Sequence, residues 1–127
     1  MEENDRRVRK HVRKLTELIP QANSSLQREV LKLLLKMSIQ EKQEGKLFEH
    51  CVEIWKKPKI QPGTRYYAFK TLLKISEKHP ELREEVLFLA EPHYINSLSP
   101  GIARSITKLV EGLTTKDIKY TMENSKG

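Results

Sequence analysis

Pro62-Gly-Thr-Arg-Tyr-Tyr-Ala-Phe-Lys-Thr-Leu-Leu-Lys-Ile75 opens on a residue suited to a first helical turn, where the N–H that proline lacks would have no partner anyway. Ala68, Phe69, Leu72, Leu73 and Ile75 then recur at helical spacing and turn one face inward until His79-Pro80 ends the element. Ser24 and Pro100 lie 38 residues to either side of Pro62, and each opens a similar apolar pattern. The same offset superposes Val30, Ala68 and Ile106; Leu31, Phe69 and Thr107; and Leu34, Leu72 and Val110. Pro20 and Pro58 are also 38 apart. A fixed period of this length marks stacked helix-turn-helix units, none of which buries its apolar face alone.

Local signals mark the remaining helices and the start of the one that Ser24 opens. Val8, Val12, Leu15 and Ile19 make one stripe that should stop before Pro20. Ser24 with Gln27 reads as a capping box opening the helix of Leu26, Val30, Leu31, Leu34 and Leu35. Leu47, Phe48, Cys51, Val52 and Trp55 form another helix, closed by Pro58. A further one starts at Pro80, has Glu81, Glu84 and Glu85 near its positive end, and presents Leu82, Val86, Leu89 and Ala90. No run has the length and alternation of a strand. The expected fold is therefore all-α: a short right-handed α-α superhelix of about six helices in three hairpins. Its single repeat domain spans 1–113, with units at about 5–37, 46–79 and 80–113. A polar tail, 114–127, has only Ile118, Tyr120 and Met122 to anchor it, so its last few residues should be loosely held.

Composition narrows the class. The 127 residues, 37% apolar and 32% charged with one cysteine, suit one ordinary core and exclude a collagenous, disulfide-stapled or low-complexity chain. The charged opening, MEENDRRVRKHVRK, lacks the apolar run of an export signal, and no stretch approaches the roughly 20 apolar residues of a membrane span. With Cys51 alone, these features lead us to expect a cytoplasmic protein with no membrane association.

The segment Lys46–His79 resembles a HEAT or armadillo-type repeat, whose second helix commonly opens with Arg, then Ala, then Leu at the spacing of Arg65, Ala68 and Leu72. The departures are Lys59, where such repeats often carry an acid, and Gln27 and Ala103 at the positions equivalent to Arg65. The chain is also similar to small bacterial all-helical proteins, some of which carry an adenylosuccinate lyase label. It is far shorter than that lyase and lacks its serine-rich signature loop, so no lyase activity is expected.

Catalytic chemistry finds little support. His11, His50, His79 and His93 lie far apart, without metal-ligand spacing on one helix face. Cys51 falls inside an apolar stripe and reads as a small buried hydrophobe. Ser105-Ile-Thr-Lys108 matches S-x-x-K, but the companion S-D-N and K-T-G elements are missing. The glycines form no phosphate-cradling loop. We therefore expect no enzyme, metal or cofactor. Base-excision chemistry like that of HEAT-built glycosylases is a distant third option, since those proteins are longer and no residue here marks a pocket.

Charge is more informative. Arg6, Arg7, Arg9, Lys10, Arg13 and Lys14 put six cations in nine residues, and Lys56–Lys78 holds seven with only Glu77 opposed, whereas Pro80–Glu91 is net −3. Lys70, Lys74 and Lys78 form a stripe, because four residues turn a helix by about 400°. Under the 38-residue offset Arg28, Tyr66 and Arg104 coincide, as do Lys32, Lys70 and Lys108, and Lys36, Lys74 and Gly112. The resemblance implies that second helices line a concave surface, on which these cations would form a ladder flanked by Tyr66 and Tyr67. Such a surface would take an acidic surface or segment of another protein, or a nucleic-acid backbone with the tyrosines stacking on bases. A solvated lysine face is the alternative account. The repeat architecture makes a non-catalytic protein-interaction scaffold with a basic concave face the expected function, and nucleic-acid binding through the Lys/Arg ladder the alternative.

Overall fold

A computed structural model describes residues 6–96 and 98–125, with side chains described over 10–96 and 98–112. The described residues contain seven α-helices and no strand: α1 (Arg6–Leu18), α2 (Ser24–Leu35), α3 (Glu41–Lys56), α4 (Pro62–Lys78), α5 (Arg83–Leu89), α6 (Pro92–Ile95) and α7 (Pro100–Ser125). Short 3-10 turns follow α1 at Ile19–Gln21 and precede α5 at Pro80–Leu82. The helices α2, α4 and α7 begin at the three residues that the period of 38 selects.

The chain divides within α4 into two compact units, Met1–Leu72 and Leu73–Gly127. In the first, α1 packs against α2 and α3. Its interior is made of Val12, Ile19, Val30, Leu31, Leu34, Leu47, Trp55, Ala68, Phe69 and Leu72, all buried. Trp55 on α3 meets Phe69 on α4 with ring centroids 4.8 Å apart, which fixes that helix pair through its largest apolar surfaces. In the second unit α5 packs against α7, where Val86, Leu89 and Ile106 are buried.

Several local expectations are corrected. The cap of α2 is Asn23, not Ser24: its side chain accepts from the Leu26 N–H at 2.9 Å. Ser24 is thereby released to face α4, where Thr64 Oγ1 donates to its carbonyl at 2.9 Å and the Gln61 N–H reaches its hydroxyl at 3.3 Å. Leu26, in the first turn of α2, is 43% exposed rather than inward. The helix expected from Pro80 starts as a 3-10 turn and becomes α-helical only at Arg83. The short α6, with a proline at its start, brings the described α-helices to seven, in keeping with an all-α fold of about six. The backbone of α7 is helical from Pro100 through Ser125. The anchors Ile118, Tyr120 and Met122 lie outside the described side chains, as do Arg6, Arg7 and Arg9.

Cys51 is fully buried against Thr71, and burial pushes its thiol well above the ordinary 9.0, the Thr71 hydroxyl opposing the shift. The folded state therefore holds the neutral thiol, and the stability this confers is complete below about pH 9. It is lost as pH rises and the unfolded thiol ionises, by up to about 1.4 kcal/mol per pH unit. We expect the stability gap between wild type and Cys51→Ala to narrow between pH 8 and pH 10 in urea titrations. A gap independent of pH would show that the thiol titrates alike in both states.

Candidate basic face

The site builds from two second helices of the first unit. On α2, Arg28 and Lys32 have side chains 42% and 43% exposed, and each places a nitrogen 3.7 Å from Glu29 Oε1. Pairs this exposed contribute little to stability, so Glu29 tempers the charge of the face more than it holds the fold. Arg28 runs along the first turn of α4, where a Cβ on Gly63 would lie 3.8 Å from its Cδ and Nη1. Lys36 caps the C-terminus of α2 and is exposed.

On α4, Tyr66 and Tyr67 are half-buried and meet edge to face, with centroids 5.3 Å apart. The Nζ of Lys32 lies 5.7 Å from the Tyr67 centroid, and that of Lys70 lies 5.8 Å from the same ring and 5.4 Å from Tyr66. Two lysines from different helices thus share one tyrosine, and the period of 38 pairs those same two lysines. The aromatic faces attract the ammonium groups and limit their sweep, while half-exposure keeps the charges available to an anion.

Behind this face lies a device that the sequence reading missed. Arg65 is only 1% exposed, its Nε donates to the Trp55 carbonyl at 3.0 Å, and its guanidinium carbon sits 5.0 Å from the Trp55 ring. Burial moves the Arg65 pKa down from its ordinary value. At the equivalent place in the preceding repeat, Gln27 Nε2 donates to the Ile19 carbonyl at 2.9 Å. Both side chains satisfy a carbonyl near the end of the preceding helix, where carbonyls lack helical partners. Arg65 is a family-matching residue in the sequence, but only the folded geometry gives its task.

The remaining candidate residues belong to the second unit. Lys74 is half-buried and Lys78 exposed on the last turns of α4, and Arg104 and Lys108 are exposed on α7. Ser105 of the S-x-x-K match gives its hydroxyl to the Gly101 carbonyl at 3.1 Å, the usual way a mid-helix serine is occupied. Among the described residues no group of three His, Cys, Asp or Glu side chains could hold a metal ion, and no helix is long and apolar enough to cross a membrane.

A family model described as a HEAT repeat domain matches residues 2–113. No curated protein and no solved structure matches the chain.

Proposed function

The chain belongs to the HEAT repeat domain family, and from that premise we propose that it is a non-catalytic binding module whose basic face takes an acidic segment of another protein. HEAT repeat domains generally serve as protein-interaction scaffolds. The observation that carries the finer reading is the convergence of Lys32 and Lys70 on Tyr67, at 5.7 and 5.8 Å. Carboxylates arriving there find cations already held in place, so less side-chain entropy is lost on binding than at free lysines. Arg28 adds a third cation beside the first turn of α4. Lys36, exposed at the end of α2, is proposed to extend this surface within the first unit, and Lys74, Lys78, Arg104 and Lys108 are proposed as binding residues of the second unit, considered by itself.

A second reading, nucleic-acid binding, is favoured by the tyrosine pair, since an aromatic flanked by cations suits a base and its phosphate, with stacking worth about 1–3 kcal/mol per base. Titration of the protein against fluorescent acidic peptide and against single- and double-stranded DNA and RNA, at two salt concentrations, separates the readings. We expect the peptide to bind and Lys32→Glu/Lys70→Glu to weaken it at least about tenfold, as removal of two charge-assisted contacts requires. Submicromolar nucleic-acid binding that falls steeply with salt would select the second reading. Binding of either ligand that ignores the charge reversal would sink both.

A further inference from the structure

The second unit carries a surface of opposite character. On α5, Arg83, Val86 and Leu89 are buried, and the outward side presents Glu84, Glu85 and Phe88. Phe88 is 54% exposed, the most exposed of the large apolar side chains among the described residues. It lies three residues from Glu85 and four from Glu84, which puts all three on one helix face. Glu91, exposed at the start of α6, extends the acidic rim. His93 and Tyr94 on α6 complete an aromatic cluster, with centroids 6.5 and 6.3 Å from Phe88 and 3.9 Å from each other. An exposed phenylalanine ringed by carboxylates is poorly matched to water and well matched to a cationic, partly apolar partner.

The chain itself contains that complement. Between Arg6 and Lys14 it carries six cations in nine residues, and of the side chains described on α1, Lys10, Arg13 and Lys14 are exposed. Lys10, Lys14 and Leu18 follow at four-residue spacing, so the cationic stripe of α1 ends in an apolar residue that is itself 36% exposed. We propose that the Glu84, Glu85, Phe88 and Glu91 ridge is a self-association surface, and that its occupant is the basic α1 of a second copy. The contact is heterologous, α1 on one copy and α5 on the other, held by complementary charge with Phe88 as its apolar centre. Being dominated by exposed charge, it strengthens at low ionic strength and weakens as salt screens it.

Sedimentation equilibrium on the full chain tests this. The expected result is a weight-average mass that rises above 14.9 kDa with protein concentration at about 50 mM salt and returns to it at about 500 mM. Phe88→Ser should weaken association about tenfold, as loss of an interface centre does. Two charge-reversed proteins, Glu84→Lys/Glu85→Lys/Glu91→Lys and Lys10→Glu/Arg13→Glu/Lys14→Glu, should each remain at 14.9 kDa alone. Mixed together they should associate, because the basic α1 of the first meets the acidic ridge of the second and the reversed ridge meets the reversed helix. Circular dichroism on each variant establishes that it is folded. A wild-type mass of 14.9 kDa at every concentration in low salt overturns the proposal, as does association that survives either reversal, or folded variants that fail to associate when mixed. Lys32→Glu/Lys70→Glu should associate as wild type does, so this result stands or falls separately from the basic-face binding reading.

Discussion

Arg65→Ala should lower the free energy of unfolding by about 3 kcal/mol, the sum of several terms that do not all have the same sign. Truncation removes the bond that Arg65 Nε donates to the Trp55 carbonyl at 3.0 Å, and a buried hydrogen bond made by a charged donor contributes about 1.5–3 kcal/mol. It removes the guanidinium from the Trp55 ring, a contact worth about 0.5–2 kcal/mol, and opens a cavity where the side chain was 1% exposed. Against these stands relief from holding a desolvated charge, which limits the net loss. Two further variants apportion the effect. Arg65→Met keeps volume without donor or charge, so it should cost about 2 kcal/mol if the bond to the carbonyl dominates, and nothing if desolvation does. Arg65→Gln copies Gln27, whose amide makes the equivalent bond to Ile19 at 2.9 Å, and should recover about half of the alanine loss. Urea unfolding followed by circular dichroism measures all three. An Arg65→Ala protein within about 0.5 kcal/mol of wild type would mean that the bond is offset entirely by the cost of burying the charge.

The second helices were legible because their burial repeats. Val30, Ala68 and Ile106, superposed by the period of 38, are 2%, 0% and 0% exposed, and Leu34 and Leu72 are both fully buried. The first helices align poorly at that offset, so their extents had to be read from local chemistry; the errors arose at the ends of helices of both kinds. Asn23 and Ser24 are both good caps, and one sequence cannot say which holds the α2 N-terminus; Ser24 is needed instead by Thr64, a residue 40 positions away. At Pro80 the proline stop was read correctly, but its outcome, a 3-10 turn before α5, depends on how His79 and Arg83 join it. Leu26 shows that an apolar residue in phase is not thereby covered, since a first turn can project beyond its neighbours. On the basic face, the 38-residue offset is what relates Lys32 on α2 to Lys70 on α4 in the sequence. The Tyr67 ring shared between them required the crossing of α2 and α4 to be known, and the buried donor Arg65 was hidden among seven basic residues of outwardly similar character.

Trp55→Ala removes the other half of the device that seats α4, and its expected cost is about 3–5 kcal/mol. That is a large share of the roughly 5–15 kcal/mol by which a domain of this size is stable, so the variant should be partly unfolded at moderate urea, where wild type is intact. Trp55 is fully buried, and its ring contacts Phe69 at 4.8 Å and the Arg65 guanidinium at 5.0 Å. Its backbone carbonyl survives the substitution, so Trp55→Ala deletes the ring contacts while leaving the hydrogen bond to Arg65 available. A double-mutant cycle with Arg65→Ala therefore isolates the guanidinium–ring term, for which we expect a coupling of about 0.5–2 kcal/mol. Additivity within about 0.3 kcal/mol would show that the ring merely fills space beside the guanidinium. Substitutions of Trp55 also bear on the proposed acidic-peptide binding, because Tyr66 and Tyr67 follow Arg65 directly in α4. Trp55→Phe, which keeps an aromatic ring against Phe69, should retain acidic-peptide binding. Trp55→Ala should lose it in proportion to the folded fraction lost, since the lysines of the basic face are held by rings that only the folded α4 presents.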